Sequence, residues 1–104
     1  MIVEQRDYHV ITGKLNELVK LYETEGIPIQ QRYLGGFVAA FTTDVGALST
    51  YTTLWQYDSY AERERRRAEL QADEQWKDFL SRLQPLLHTQ QNRILVPTSF
   101  SPLR

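Results

Sequence analysis

Apolar positions along this chain switch between two spacings, and the switches mark out its elements. Ile2 to Ile11 reads as a strand: Val3, Tyr8, Val10 and Ile11 favour extended backbone, with Glu4, Arg6 and Asp7 interspersed. Thr12 offers a hydroxyl for a helix N-cap. Leu15, Leu18, Val19 and Tyr22 then follow the i, i+3, i+4, i+7 stripe of an amphipathic helix, expected to stop at Gly26 and Pro28. After Gly35-Gly36 comes the short apolar run Phe37–Thr42, too short for a typical helix and bounded by Asp44 and Gly46, so it reads as a buried strand. Leu48 to Tyr57, rich in Thr, Tyr and Trp, completes a hairpin with it.

A second helical region opens at Ser59, which has capping-box spacing to Glu62. Asp73 can cap a continuation in which Trp76, Phe79, Leu80 and Leu83 repeat the helical stripe, limited by Pro85. Asn92 to Val96 reads as the last strand. The order strand, helix, two strands, helix, strand is the split β-α-β pattern of ferredoxin-like folds. The expected fold class is therefore α+β, a four-stranded antiparallel sheet with two helices on one face, in a single domain spanning residues 1–104.

Strict alternation puts Phe37, Ala39 and Phe41 on one side of their strand and Val38 and Ala40 on the other. In the next strand Tyr51, Trp55 and Tyr57 share a face opposite Leu54. One helical layer covers one face of the sheet, so apolar groups on both faces point to a homodimer. The alternative is a monomer with a wide aromatic ligand groove.

Composition narrows the function classes. A chain of 104 residues with 41% hydrophobic and 24% charged residues can bury one real core. A net charge of −1 gives no pull toward nucleic acid or an acidic membrane. With no cysteine, disulfides, thiolate chemistry and Cys-based metal sites are excluded. The apolar runs fall short of a membrane span. The opening Met-Ile-Val-Glu-Gln-Arg-Asp carries charges where a secretory signal needs an apolar run, so a cytoplasmic location is the default expectation.

Several residues are candidates for chemistry. Arg63 and Arg67 lie one helical turn apart on a face that also carries Tyr60 and Leu70, which turns that face inward. They are read either as a clamp for a carboxylate or phosphate, or as structural partners of Glu4, Asp7 or Glu64. Arg65 and Arg66 instead have acidic neighbours at i,i+4 spacing and read as surface pairs. His9, with Asp7 two residues earlier on the same face, is the candidate acid–base group; His88 reads as surface. Tyr8, Tyr51, Trp55 and Tyr57 can line an apolar pocket or serve as core packing. There is no His-Glu-x-x-His, phosphate loop, Gly-x-Gly-x-x-Gly or Gly-x-Ser-x-Gly, and two distant histidines do not make a zinc site. Neither a metal nor a cofactor is called for.

The stretch Leu54-Trp55-Gln56-Tyr57-Asp58-Ser59-Tyr60-Ala61-Glu62-Arg63, then Arg67 and Asp73-Glu74-Gln75-Trp76, resembles the NIPSNAP family. Glu4, Arg6 and Tyr8 with Gly13-Lys14, and the close Phe100-Ser101-Pro102, fit the same pattern. The resemblance implies a dimeric α+β barrel of two ferredoxin-like sheets packed face to face. The wider group includes cofactor-independent monooxygenases, haem-degrading enzymes and small dehydratases, but NIPSNAP members mostly lack an assigned reaction, and fold kinship does not transfer chemistry. The reading that follows is a homodimer binding a small apolar or anionic molecule between sheet and helices, with Tyr8, Trp55, Tyr57, Arg63 and Arg67 as ligand-binding candidates. Its rivals are a cofactor-independent monooxygenase or isomerase using His9 and the tyrosines, and a non-catalytic interaction module.

Overall fold

The computed structural model describes residues Met1–Arg104. Strand β1 (Ile2–Val10) is central. It pairs antiparallel with β3 (Thr50–Tyr57) on one side and β4 (Leu87–Leu95) on the other, while β2 (Phe37–Thr42) pairs with β3 at the edge. The order β2-β3-β1-β4 is the ferredoxin-like arrangement. On β1 the even residues Ile2, Glu4, Arg6, Tyr8 and Val10 are all buried toward the helices, and the odd ones, Val3 to His9, face the opposite side.

The first helical arm is longer than its stop signals suggest. A tight turn closed by Lys14 N–H donating to the Ile11 carbonyl occupies the position where Thr12 was expected to cap. The helix α1 (Leu15–Leu21) begins after Lys14, which makes no side-chain cap bond. Gly26 and Pro28 do not end it. The chain passes through a π-turn (Tyr22–Gly26) directly into α2 (Ile27–Leu34). Pro28 sits in the first turn of α2, where a missing N–H costs little. Gly26 is needed for space instead: a Cβ there would lie 2.6 Å from the tip of the Phe79 ring and 2.7 Å from Tyr22. The actual terminator is Gly35, with φ +79°.

The second arm follows expectation. The Ser59 hydroxyl accepts from Glu62 N–H to start α3 (Tyr60–Gln71), and the Asp73 carboxylate accepts from Trp76 N–H to start α4 (Glu74–Leu83). Trp76, Phe79 and Leu83 are buried and Leu80 is half-buried. The Trp76 and Phe79 rings stack at 5.0 Å, and Phe79 meets Tyr22 edge-on at the same distance, tying the two arms together. A 3₁₀ turn at Gln84–Leu86 leads straight into β4. That strand begins at Leu87, five residues before the expected Asn92; most of it is polar and exposed on an edge, so no apolar alternation marks it. No helix is long and apolar enough to cross a membrane.

The second strand departs from simple alternation. A bulge between Phe37 and Ala39 pairs Phe37 with Trp55 but Ala39 with Leu54 and Phe41 with Thr52. Phe37 therefore packs on Trp55 within the helical layer, ring centres 4.9 Å apart, while Phe41 turns to the open face and is 56% exposed. The expected grouping of Phe37 with Phe41 fails because the bulge inserts one residue into the count. The open face is mixed. Val3, Leu54, Phe41 and Leu95 lie around a polar centre of Gln5, Asp7, Thr52 and His9.

Candidate functional site

The helix-covered face of β1 buries two charged residues in an otherwise apolar layer. Glu4 is fully buried, opposite Trp55 on β3 and Ile94 on β4. A buried carboxylate needs compensation, and it receives four hydrogen bonds. Arg63 Nε donates to Oε1 at 3.0 Å and Arg63 Nη2 to Oε2 at 2.9 Å, while Arg6 Nη1 and Asn92 Nδ2 donate to Oε2 at 2.8 and 3.0 Å. Burial pushes the carboxyl pKa up, but the Arg63 hydrogen bonds and the charges of Arg6, Arg63 and Arg67 outweigh it and hold it below its ordinary value.

Arg6 is locked from its other end, since its Nε donates to the Tyr8 hydroxyl at 2.9 Å. Tyr8 in turn packs against Tyr22 and Tyr51, with ring centres 5.5 and 5.8 Å away, and those two lie 4.8 Å apart. Burial raises the pKa of the Tyr22 and Tyr51 hydroxyls, so both stay protonated at neutral pH.

Arg67 is different. One turn beyond Arg63, it faces the same layer, but its Nη1 is inaccessible to solvent and has no hydrogen-bond partner. Burial, followed by the neighbouring Arg6 charge, lowers its pKa. The Tyr57 hydroxyl beside it is also buried and unpartnered, and burial raises its pKa. The two groups are close enough that the Arg67 charge and a poorly aligned hydrogen-bonding contact from it pull the Tyr57 pKa back against burial. Direct contact would occupy the hydroxyl oxygen but would leave the guanidinium charge unmatched. Around Glu4 the structure thus gathers three guanidinium groups and one carboxylate.

The candidates from sequence separate into two groups. Tyr8, Trp55, Tyr57, Arg63 and Arg67 converge on the helix-covered face; of these, Trp55 is spent on packing, its Nε1 donating to Thr53 Oγ1 at 3.2 Å. His9 lies on the opposite face, with Nδ1 3.3 Å from Thr50 Oγ1. Asp7, its expected orienter, accepts instead from Thr52 Oγ1 at 2.7 Å and from Gln5. A site joining His9 to Tyr57 within one protomer is therefore not formed. His88 is exposed on β4, and no group of His, Cys, Asp or Glu residues is placed to hold a metal. Arg65 makes the expected i,i+4 pair with Glu69 and a further i,i+3 pair with Glu62. Arg66 pairs with Glu62 and also donates to the Tyr33 and Leu34 carbonyls. Asn92 was missed as a ligand of Glu4. The sequence marks it only as the start of a strand, and the β1–β4 register alone brings it beside Arg6.

A groove of about 310 Å³ opens beside the end of β3, walled by Gly35, Gly36, Gln56, Asp58, Glu62 and Arg66. Of the candidate residues only Tyr57 lines it.

Comparison with known proteins bears on the family and the fold. The NIPSNAP family model matches residues 3–102. The structure is similar to a NIPSNAP family protein from Agrobacterium tumefaciens at 46% identity, with a TM-score of 0.97 over 99% of this chain and 98% of the other. It is also similar to a NIPSNAP domain protein from Burkholderia xenovorans at 38% identity, with a TM-score of 0.94 over 98% and 99% of the two chains. A putative antibiotic biosynthesis monooxygenase from Nitrosomonas europaea shares the fold alone, at 10% identity and a TM-score of 0.69 over 93% and 98%. A search of curated proteins finds no match. With the family pattern running from the first strand through the tail, and close structural likeness over nearly the whole length, the chain belongs to the NIPSNAP family.

Proposed function

We propose that this protein is a homodimer that binds a small anionic molecule in the layer between sheet and α3. The observation that carries the reading is the charge count in that layer: Arg6, Arg63 and Arg67 face one carboxylate, Glu4. A fold held together by ion pairs alone has no use for the surplus. An uncompensated buried cation lowers stability, which supports the reading of a negative charge supplied from outside. The open sheet face, with Phe41 and Leu95 exposed around a polar centre, is the surface through which two copies meet.

The test compares the two arginines. Arg63 serves the fold, and Arg67 serves the ligand. In the ligand-free protein Arg63→Met lowers the melting temperature, whereas Arg67→Met leaves it unchanged or raises it. Small anions at constant ionic strength raise the melting temperature of the wild type and not of Arg67→Met. If Arg67→Met destabilises the protein as much as Arg63→Met, or if no anion distinguishes it from wild type, Arg67 is structural and the reading fails.

A further inference from the structure

Atom-level bookkeeping of donors in the cluster narrows the ligand, on the footing of the anion-binding reading above. A carboxylate offers about four lone-pair sites, and Glu4 already accepts four hydrogen bonds from Arg63, Arg6 and Asn92. Three of these fall on Oε2 and one on Oε1, and none comes from Arg67. Arg6 is likewise committed, to Glu4 and to the Tyr8 hydroxyl, and Arg63 spends two of its nitrogens on Glu4 while remaining partly in solvent. The buried groups of this cluster still lacking a partner are Arg67 Nη1 and the Tyr57 hydroxyl. Tyr57 is 4% exposed, so its hydroxyl cannot turn to bulk water, and Arg67 as a whole is half-buried.

We propose that Arg67 and Tyr57 hold the two oxygens of a small monocarboxylic acid. Both groups donate, one carries a charge, and a planar carboxylate presents two acceptors with a single negative charge to match them. A phosphate brings further oxygens and a second charge, and these would be desolvated without a buried donor to receive them. A neutral amide of the same shape would set its own N–H groups against a donor and lose the charge.

The experiment titrates the full chain with propionate, inorganic phosphate and propionamide at fixed ionic strength and neutral pH. Melting temperature and calorimetric binding are followed for wild type, Tyr57→Phe and Arg67→Met. Propionate gives a saturable rise in melting temperature of the wild type and propionamide gives none. Tyr57→Phe, which removes only an oxygen, weakens the propionate Kd by roughly tenfold, the worth of one hydrogen bond to a charged group. Arg67→Met abolishes binding. Phosphate acting at lower concentration than propionate, with its effect lost in Arg67→Met, overturns the monocarboxylate assignment but keeps an anion site. No Arg67-dependent effect of either anion overturns both. Should Arg67→Met fail to fold, the anion-binding reading fails with it; independently of that variant, a propionate Kd of Tyr57→Phe equal to wild type rejects the proposed pair.

Discussion

Arg63 closes both prongs of its guanidinium on Glu4, a residue 59 positions earlier in the chain, and so pins α3 to the central strand. Because Glu4 is fully buried, removing Arg63 takes two of its four hydrogen bonds and one of its ion pairs out of the layer. Arg63→Met should lower stability by about 2–3 kcal/mol, toward the lower end for a broken buried pair because Arg6 and Asn92 remain on Glu4. Urea unfolding measures this, and a loss under about 0.5 kcal/mol, the scale of an ordinary surface change, would show that the pair does not anchor the helix.

The same carboxyl sets an acid limit. Its folded pKa lies below the ordinary value of 4.5 that it has in the unfolded chain. A depressed carboxyl contributes its full stabilisation above the unfolded value and loses it as pH falls through the folded one. The urea midpoint should thus decline as pH drops below about 4.5, and Glu4→Gln should flatten that decline while lowering stability at pH 7. Asp73, held low by the Tyr33 hydroxyl, leaves a residual slope. A Glu4→Gln profile parallel to wild type would assign the acid sensitivity elsewhere.

Gly26→Ala should destabilise although alanine is the better helix former. The new methyl meets the Phe79 ring tip at 2.6 Å inside a fully packed core. Overpacking costs about 1–3 kcal/mol, against about 1 kcal/mol gained in helix propensity. The expected net loss is about 1 kcal/mol, and a variant more stable than wild type would mean that the π-turn can shift to make room.

The homodimer proposed above is checked by sedimentation. The wild type should run at twice the 12.2 kDa chain mass. Phe41→Asp, on the open face, should shift it to a single chain with its helical signal intact. A wild type that sediments as one chain at micromolar concentration removes the dimer, and a Phe41→Asp dimer moves the interface away from this face.

The order of elements was legible because its markers are local: the Ser59 and Asp73 caps, the Trp76–Leu83 stripe and the Phe37–Thr42 run act within a few residues. What was lost depends on distant partners. Pro28 reads as a stop only if the helix ends there, and its place in a first turn follows from a π-turn packed on Phe79. The early half of β4 has no apolar rhythm because both sides of it meet solvent. At the site, two arginines one turn apart signalled an inward face, and Glu4 was among their foreseen partners. The sequence could not tell which arginine would win it. Arg63 does so through the α3–β1 packing, and the resulting isolation of Arg67 beside Tyr57 exists only in three dimensions. His9 and Tyr8 were separable from the start, since neighbours on a strand face opposite ways.

The bulge at Phe37–Ala39 also governs how this protein avoids the wrong kind of association. An outer strand reading Phe-Val-Ala-Ala-Phe-Thr is an inviting template for another copy's strand to dock alongside and lengthen the sheet without limit. The extra residue throws the row of free amides and carbonyls out of step, so a regular strand laid along it cannot keep its bonds in phase. Lateral stacking is disfavoured at that rim, which leaves the flat of the sheet for the pairing of two copies proposed above, an association that closes on itself and stops.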